Sequence, residues 1–344
     1  MKAVAIQAHG GVDNIEILEV PKPEPKVGEA LIRIRAAALN RLDLFTVEGI
    51  KGLVLKMPHV PGGDGAGIIE KFGPNTDPMG FGVADRVTFN PGVSCTQCEM
   101  CRQGEESMCL NYGIIGEHLP GVMAEYAAVP VRNLVKIPND FPFEAAAASP
   151  LVFQTAWREL VTRAKIRMAE TVVILGAGSG VSTAAIQIAA KAGCRVIATS
   201  STPEKLQRAK ELGATDLINY KTENWSKRVY ELTGKRGADV ILDSVGEATL
   251  NDSVRAVRKG GRIVIIGGTT GQDVNLNLRY VYWKQVDILG STMGSNKEFR
   301  DVMQLVFNGT LKPVVGTAMP FAQAQAAFKL MQKGESFGKI VLTF

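Results

Sequence analysis

Four of the five cysteines lie close together in the chain, in the spacing C-x2-C-x2-C-x7-C. They are Cys95, Cys98, Cys101 and Cys109. Four thiolates at these separations can surround one tetrahedral zinc ion, each sulfur about 2.3 Å from the metal. A shell closed by four protein sulfurs leaves no position for a substrate. The spacing therefore predicts one structural zinc ion per chain, and the chemistry must be sought elsewhere.

Two disulfide bonds, or four unrelated thiols, are the alternatives to zinc. Disulfide frameworks are typical of small secreted domains, whereas this chain has 344 residues. Its first segment, MKAVAIQAHG, predicts a strand and lacks the apolar region of a signal peptide. We therefore favour zinc and expect a cytoplasmic protein.

The composition is typical of a globular protein of two domains, with 46% hydrophobic and 21% charged residues over 344 positions. The net charge is only +5, and lysine and arginine never form a block of five. Neither nucleic acid nor a membrane surface is therefore expected as a partner. Residues 171–190 carry no charge, but GAGSG interrupts this stretch, which favours a buried strand, turn and helix over a membrane span.

The pattern of short strands changes along the chain. The first 150 residues contain apolar runs broken by Pro and Gly, such as PHVPGGDGAGIIEKFG, and predict a mostly β domain. From about residue 171, β-branched runs alternate with helical segments, which predicts a doubly wound parallel sheet, and VDILGST is a candidate sixth strand. The helices and final KIVLTF strand after Ser295 are expected to return to the first domain. The domains are then 1–151 with 289–344, and 152–288.

A glycine-rich turn marks a candidate nucleotide site. The strand TVVIL leads into Gly176, Gly178, Ser179, Gly180 and Val181, at the start of a helix. Glycines at such a corner allow a tight turn and let backbone N–H groups approach a pyrophosphate, although many strand-to-helix corners need glycine for geometry alone. The repeated β–α units that follow favour a dinucleotide. The fingerprint is incomplete, because Ser182 stands where its last glycine would be.

The end of the second strand favours NADP(H) over NAD(H). An NAD site usually has Asp or Glu there to bind the ribose 2′-OH, whereas this chain has Ser200 and no carboxylate before Glu204. Thr202 and Pro203 are a typical N-cap and first residue of a helix. Lys205 then lies in the first helical turn, where the helix dipole disfavours a cation unless an anion is nearby. The alternative is a solvated surface lysine.

Together these features resemble the medium-chain dehydrogenase/reductase superfamily, the zinc alcohol dehydrogenases and their quinone-oxidoreductase relatives, over essentially the whole chain. The matching segments are the GDGAG run near residue 65, the cysteine quartet, AEY at 124–126, the QTAWREL helix start at 154, the glycine turn, K-x-x-x-A-K-x-L-G-A and the terminal GKIVL. The resemblance implies a GroES-like, mostly β N-terminal domain with a structural zinc lobe at about 90–112. It implies a Rossmann domain for the cofactor.

The ligands of the family's catalytic zinc are missing. The motifs that resemble the family place Asn40, Gly63 and Leu151 at the positions of its Cys, His and third ligand. These residues cannot hold a zinc ion that needs three protein ligands and one open position. His59, Asp43 and Asp64 are the alternative donors, although His59 lies in a Pro-flanked strand entry typical of packing.

The absence of a Lewis acid changes the expected reaction. Hydride delivery to a quinone or conjugated enone needs less help than alcohol oxidation, because the acceptor delocalises the charge it gains. By resemblance to quinone reductases, Asn40 is the expected donor to the substrate oxygen, and Thr155 lies beside the nicotinamide. Asn40 capping a turn is the alternative. His118 is a candidate proton donor, or an ordinary loop histidine.

The resemblance also implies cofactor contacts. They are Ser200, Lys205 and Tyr220 for the 2′-phosphate, Arg41 and Lys339 for the pyrophosphate, and the backbone of Gly267 and Gly268 for the carboxamide. Arg41 as a solvated surface charge is the alternative. The expected function is NADPH-dependent reduction of a small-molecule quinone, enone or related carbonyl compound.

Two other functions compete with this expectation: a zinc alcohol dehydrogenase with unusual ligands, and an NADPH-binding protein without catalysis. A homodimer or homotetramer is expected, because VDILGST resembles the superfamily's dimer-forming strand.

Overall fold

The computed structural model describes residues Met1–Phe344, and the chain divides into two compact units. Unit 1 comprises Met1–Gln154 and Gly294–Phe344, and unit 2 comprises Thr155–Met293. The sequence predicts domain boundaries after residues 151 and 288, and the two units of the structure divide after residues 154 and 293. No helix is long and apolar enough to cross a membrane. The cytoplasmic location stays a prediction.

Seventeen strands occur along the chain. They are β1 (Lys2–Ile6), β2 (Ile15–Glu19), β3 (Glu29–Ala38), β4 (Asp64–Phe72), β5 (Arg86–Phe89), β6 (Gly92–Val93), β7 (Gly113–Ile114), β8 (Tyr126–Pro130), β9 (Leu134–Lys136), β10 (Thr171–Ile174), β11 (Arg195–Ser200), β12 (Asp216–Asn219), β13 (Ala238–Asp243), β14 (Val257–Ile265), β15 (Asp287–Gly290), β16 (Val315–Pro320) and β17 (Lys339–Thr343).

Eleven α-helices connect these strands. They are α1 (Arg41–Glu48), α2 (Glu99–Arg102), α3 (Phe143–Ala147), α4 (Pro150–Trp157), α5 (Gly180–Lys191), α6 (Pro203–Glu211), α7 (Trp225–Leu232), α8 (Leu250–Ala256), α9 (Leu278–Lys284), α10 (Asn296–Phe307) and α11 (Ala324–Lys333). The chain also contains a π-helix at Arg158–Arg163 and 3-10 turns at Val12–Asn14, Glu106–Met108, Val131–Asn133 and Phe321–Gln323. The helix expected to begin at residue 154 begins earlier, at Pro150.

Unit 1 is built around a seven-stranded sheet with the order β16-β17-β3-β4-β5-β9, and β8 also pairs with β3. Apolar side chains such as Ile32, Ile34 and Phe89 form its core with Leu342 from the last strand. β17 pairs antiparallel with β3, Val341 opposite Ala38. This register places the start of β17 beside the end of β3, just before α1, as expected for a tail that returns to the first domain.

Unit 2 is a parallel six-stranded sheet with the order β12-β11-β10-β13-β14-β15. Every residue of β10 and β13 is buried, as expected for strands with helices on both faces. The strand order reverses between β10 and β13, so the carboxyl ends of these two strands form the crevice in which such sheets bind ligands. The GroES-like and Rossmann-type architecture predicted from the sequence is confirmed, including the sixth strand.

Candidate active site and zinc lobe

The four cysteines of the quartet converge at one point of unit 1. Their sulfurs all lie within 4.8 Å of one another, with 3.5 Å between Cys98 and Cys101 and 4.0 Å between Cys95 and Cys101. Sulfurs around a tetrahedral zinc ion are about 3.8 Å apart when each bond is about 2.3 Å long. No disulfide joins these cysteines. The donor set therefore fits one structural zinc ion.

Short local elements bring the four sulfurs together. Cys98 precedes α2 and Cys101 lies within it, while Cys109 follows the 3-10 turn at Glu106–Met108. Backbone N–H groups point at the sulfurs: Cys95 N–H donates to Cys109 Sγ at 3.3 Å, and Cys98 N–H donates to Cys95 Sγ at 3.4 Å. Such donors stabilise thiolates, the form of cysteine that binds metal.

The thiols differ in how readily they ionise. Backbone N–H groups of Cys101 and Leu110 lower the pKa of Cys98 to about 6, and similar contacts lower the pKa of Cys95. Burial and the neighbouring Cys98 raise the pKa of Cys101 to about 12. A divalent cation would favour the ionised form of all four groups.

A second polar cluster, here called the amide network, lies at the start of α1 in unit 1. It consists of Asn40, Asp43, Asp64 and Lys339, all at most 6% exposed. The Lys339 ammonium donates to Asn40 Oδ1 and, at 2.9 Å, to Asp64 Oδ2. Asn40 Nδ2 donates to the same Asp64 Oδ2 at 3.0 Å. The buried ion pair is thus completed by hydrogen bonds, the condition under which such pairs are tolerated.

The main chain around this network is also held by carboxylates. Asp64 Oδ1 accepts the N–H of Leu151 at 2.9 Å, and Asp43 accepts the N–H groups of Asn40 at 2.7 Å and Gly62 at 3.2 Å. Burial raises the pKa of Asp43 to about 7, although the Asn40 N–H and the Lys339 charge oppose this rise. Asp43 and Asp64 are therefore occupied by protein donors.

The network includes Asn40 and contacts Leu151, two of the positions at which the family's catalytic-zinc ligands would be expected. Asn40 presents an amide, and Leu151 contributes only its backbone N–H. Gly63 has little room for a side chain, because an added Cβ would lie 3.0 Å from the carbonyl oxygen of Ile115. His59 is buried and its Nε2 lies 3.0 Å from Gly116 O, and burial lowers its pKa. The residues that converge as possible metal ligands are the four cysteines.

The glycine turn of unit 2 has the geometry of an anion site. Gly176 has a φ of +64° and faces open space, so its backbone is accessible. Ser179 caps the twelve-residue helix α5 by accepting the N–H of Ser182 at 3.0 Å. Ser182 Oγ in turn donates to Leu175 O at 3.0 Å. The serine that replaces the last glycine therefore anchors the helix to β10, and the free N–H groups of the first turn, including those of Gly180 and Val181, remain available.

The residues expected around a 2′-phosphate lie at the carboxyl ends of neighbouring strands of unit 2. Ser200 ends β11, and its carbonyl accepts the N–H of Tyr220, at 3.1 Å, just after β12. Thr202 caps α6 by accepting the N–H of Lys205, and Pro203 is the first residue of the helix. The cap predicted from the sequence is confirmed. Sequence analysis missed Lys221, whose ammonium lies 5.8 Å from the centre of the Tyr220 ring.

The other predicted site residues belong to none of the clusters described above. Arg41 is exposed at the first residue of α1. Thr155 is buried and its hydroxyl has no hydrogen-bond partner. Gly267 and Gly268 lie in the loop after β14. His118 Nδ1 accepts the N–H of Ile114 at 3.3 Å, as an ordinary loop histidine would.

Sequence analysis also missed Glu159, in the π-helix of unit 2. Its carboxyl group is 1% exposed and neither oxygen has a hydrogen-bond partner. Burial holds its pKa well above its usual value. Glu159 lines a cavity together with Val181, Ser182 and Ser244, at the carboxyl ends of β10 and β13. Nothing in the local sequence TAWREL distinguishes this glutamate from a surface residue.

Comparisons with known proteins agree with this architecture. Residues 26–139 match the alcohol dehydrogenase GroES-like domain, and residues 180–308 match the zinc-binding dehydrogenase family. A crystal structure of an NAD-dependent alcohol dehydrogenase is 42% identical, with a TM-score of 0.96 and full coverage of both chains.

Two relatives known from their sequences cover almost the whole chain. A zinc-type alcohol dehydrogenase-like protein of Schizosaccharomyces pombe is 34% identical over 96% of each chain. An acryloyl-coenzyme A reductase of Sulfurisphaera tokodaii is 31% identical over 99% of each chain. Since both units and their order match along the full length, the chain belongs to the medium-chain dehydrogenase/reductase superfamily of oxidoreductases.

Proposed function

We propose that this protein is an NADPH-dependent reductase of electron-poor conjugated acceptors, such as quinones, enones or α,β-unsaturated thioesters, and that its single zinc ion is structural. The observation that carries the proposal is the amide network. Where the family's alcohol dehydrogenases have catalytic-zinc ligands, this chain has an amide, a glycine and a leucine, and the neighbouring Asp64 carboxylate is bound by Lys339. The acryloyl-coenzyme A reductase among the relatives supports a conjugated acceptor.

The residues of unit 1 account for the handling of the acceptor. Asn40 donates a hydrogen bond to the acceptor's carbonyl oxygen, where negative charge develops during reduction. A conjugated acceptor spreads this charge, so a neutral donor is sufficient and a metal ion is not needed. An alcohol substrate would instead have to lose its hydroxyl proton, a step that a metal ion assists. Asn40, Asp43 and Asp64 are bonded to other groups of the protein and do not form a site for such an ion.

The residues of unit 2 account for the cofactor. When bound, NADPH supplies the hydride. The N-terminus of α5 binds the pyrophosphate, Thr155 contacts the nicotinamide, and Gly267 and Gly268 offer backbone groups to the carboxamide. The residues proposed for the 2′-phosphate are Ser200, Lys205 and Tyr220, with Lys221 near Tyr220 as a further cation. Arg41 and Lys339 remain the residues proposed by resemblance for the pyrophosphate.

The reaction class is tested by steady-state kinetics with the purified protein. We expect oxidation of NADPH with 1,2-naphthoquinone, a conjugated enone or acryloyl-coenzyme A, unaffected by a chelator added during the assay. Reduction of NADP⁺ with a primary alcohol is expected to be negligible. Chelator-sensitive alcohol oxidation with two zinc ions per chain would contradict the proposal, and tight NADPH binding without turnover of any acceptor would favour a non-catalytic role.

The choice of cofactor is tested by Lys205→Ala. We expect KM for NADPH to rise about tenfold because a charge-assisted contact to the 2′-phosphate is lost, while KM for NADH stays unchanged. Lys210→Ala, an exposed lysine later in α6, is the matched control. An equal change for both cofactors would remove Lys205 from the 2′-phosphate site.

We also propose that the chain forms a homodimer, or a tetramer built from such dimers, through β15. This strand is an edge of the unit 2 sheet and is mostly exposed, so its backbone groups can pair with a second copy. The adjacent α9 exposes Tyr282 by 66% and Trp283 by 68%. Size-exclusion chromatography with light scattering tests this, and Ile288→Pro in β15 should yield monomers.

A further inference from the structure

The side-chain amide of Asn40 is held on both sides within unit 1. Its oxygen accepts from the Lys339 ammonium, and its nitrogen donates to Asp64 Oδ2 at 3.0 Å. A lysine ammonium can only donate and an ionised carboxylate can only accept. The amide therefore has one permitted orientation, since the flipped form would oppose donor to donor and acceptor to acceptor.

This orientation leaves one N–H of the amide available. A primary amide has two N–H donors, and the contact with Asp64 uses one of them. The main chain of Asn40 is fixed as well, because its N–H donates to Asp43 Oδ2 at 2.7 Å. Both the position and the direction of the remaining donor are therefore set before any ligand binds, which is the condition for effective stabilisation of developing charge.

The lysine also changes the strength of this donor. Lys339 is 3% exposed and Asp64 is fully buried, so their charges act through a medium of low dielectric constant. A cation at the amide oxygen draws electron density from the nitrogen and makes its N–H groups stronger donors, as in other polarised hydrogen-bond chains. Asp64 keeps the ammonium in place and is itself anchored by the Leu151 N–H at 2.9 Å.

We propose that Lys339 is a positioning residue for Asn40: through the amide, its charge strengthens the hydrogen bond to the acceptor oxygen and so replaces part of the effect of a metal ion. This inference rests on the proposed function, in which Asn40 contacts that oxygen. It differs from a role of Lys339 at the pyrophosphate, because a polarising residue changes the rate of reduction, whereas a pyrophosphate contact changes the affinity for the cofactor.

The test separates these two roles in variants that keep the interior neutral. Lys339→Met alone would leave Asp64 buried without a counter-charge and can fail to fold. The double variant Lys339→Met/Asp64→Asn removes both charges, and thermal melting checks its fold. We expect kcat with 1,2-naphthoquinone to fall about 10- to 100-fold, with the dissociation constant for NADPH unchanged within twofold. Lys329→Met, which breaks an exposed ion pair with Asp13, is the matched control and should change neither value.

The same double substitution in an Asn40→Ala background isolates the dependence on the amide. If Lys339 acts through Asn40, the two charge substitutions should cause little further loss of kcat there, since residues that act as a unit are not additive. A full additional loss would overturn the inference. So would weaker NADPH binding with an unchanged kcat, which would return Lys339 to the pyrophosphate.

A readout without turnover distinguishes failure of the inference from failure of the proposed function. In protein labelled with ¹⁵N-asparagine, the Asn40 side-chain resonance is assigned by its loss in Asn40→Ala. Removal of both charges that contact the amide, Lys339 at its oxygen and Asp64 at its nitrogen, predicts a clear shift of this resonance in the double variant. A wild type that binds NADPH and shows this shift but reduces no acceptor contradicts the proposed function alone, whereas an unshifted resonance overturns the inference.

Discussion

The zinc lobe and the amide network are two regions of unit 1 in which polar side chains converge, and they balance their charges in opposite ways. In the lobe four cysteine sulfurs lie within 4.8 Å of one another, and their mutual repulsion as thiolates calls for a cation from solution. In the network the cation is a residue of the chain, Lys339, paired with Asp64 at 2.9 Å. The first arrangement is expected to depend on a bound metal ion, whereas the second is neutralised by a residue of the chain.

Under the proposed function, this difference shows how a fold of this family could retain a structural metal site while a charge of the chain takes the place of a catalytic metal. The lobe is built from short elements: Cys98 precedes a four-residue helix and Cys101 lies within it. A metal is a common way to stabilise so small an element. The network is instead embedded in the main sheet, since Asp64 begins β4 and Lys339 begins β17. Its geometry is supported by strand pairing.

The largest effect is expected from breaking the lobe. Cys98→Ser removes one of four zinc ligands, so we expect loss of the zinc ion and a stability decrease of several kcal/mol. Zinc content by mass spectrometry and thermal unfolding measure this. Cys194→Ser, a buried cysteine outside the quartet, is the control and should keep one zinc per chain. A Cys98→Ser protein with normal zinc content would show that the quartet is not the metal site.

A smaller but clear effect is expected from breaking the network. Asp64→Ala leaves the buried Lys339 ammonium without its counter-charge, which typically costs about 3–5 kcal/mol. Zinc content should remain unchanged, in contrast to the lobe variant. Glu24→Ala breaks the exposed pair of Glu24 with Lys71 and should cost at most about 1 kcal/mol. Denaturant unfolding measures both, and equal losses would argue against a buried, charged pair.

The network should also give stability a particular pH dependence through Asp43. Burial raises its folded-state pKa to about 7 from the usual 3.8, so between about pH 4 and 7 the native state binds more protons than the unfolded state. This contribution makes the free energy of unfolding fall as pH rises through that window, by about 4 kcal/mol at most. Asp43→Asn should remove this slope, as urea unfolding at several pH values can determine.

Asp85 provides the control for this prediction because its shift has the opposite sign. The hydrogen bond from Lys136 lowers the pKa of Asp85, so its contribution is present at neutral pH and is lost as pH falls below about 4. Asp85→Asn should therefore leave the slope between pH 4 and 7 intact. A slope that persists in Asp43→Asn would assign it to another group.

The smallest change is expected when zinc-ligand residues are introduced at and beside the amide network. The triple variant Asn40→Cys/Gly63→His/Leu151→Cys restores the ligand types of a catalytic zinc site. We expect the zinc content to stay at one ion per chain. A Cβ at position 63 would lie 3.0 Å from Ile115 O, and the Lys339 ammonium beside residue 40 repels a cation. Binding of a second zinc ion would show that the missing ligands alone exclude the metal.

Much of this organisation could be predicted from the sequence because it depends on local patterns. The cysteine spacing, the Gly176–Gly180 turn and the Thr202–Pro203 helix start each reflect contacts between residues close in the chain. The alternation of β-branched runs with helical segments was sufficient to predict the parallel sheet. By resemblance to the family, the sequence also predicted that Asn40 and Gly63 stand in place of catalytic-zinc ligands.

The contacts that could not be predicted join residues far apart. Lys339 is 299 residues from Asn40 and 275 from Asp64, and no periodicity indicates that a lysine at the start of a strand is buried against them. Glu159 was missed for the opposite reason. It has no partner to identify, and its neighbours come from β10, β13, α5 and the segments that follow these strands and β14, whose relative positions only the fold determines.

The position of Lys339 in β17 has a consequence for synthesis on the ribosome. All of unit 2 is encoded between Asp64 and Lys339, so the Rossmann sheet can finish folding while the amide network still lacks its cation. Until β17 emerges and pairs with β3, Asp64 has no counter-charge and the sheet of unit 1 has an open edge. The nascent protein is therefore expected to acquire its cofactor site first and the complete Asn40 donor last.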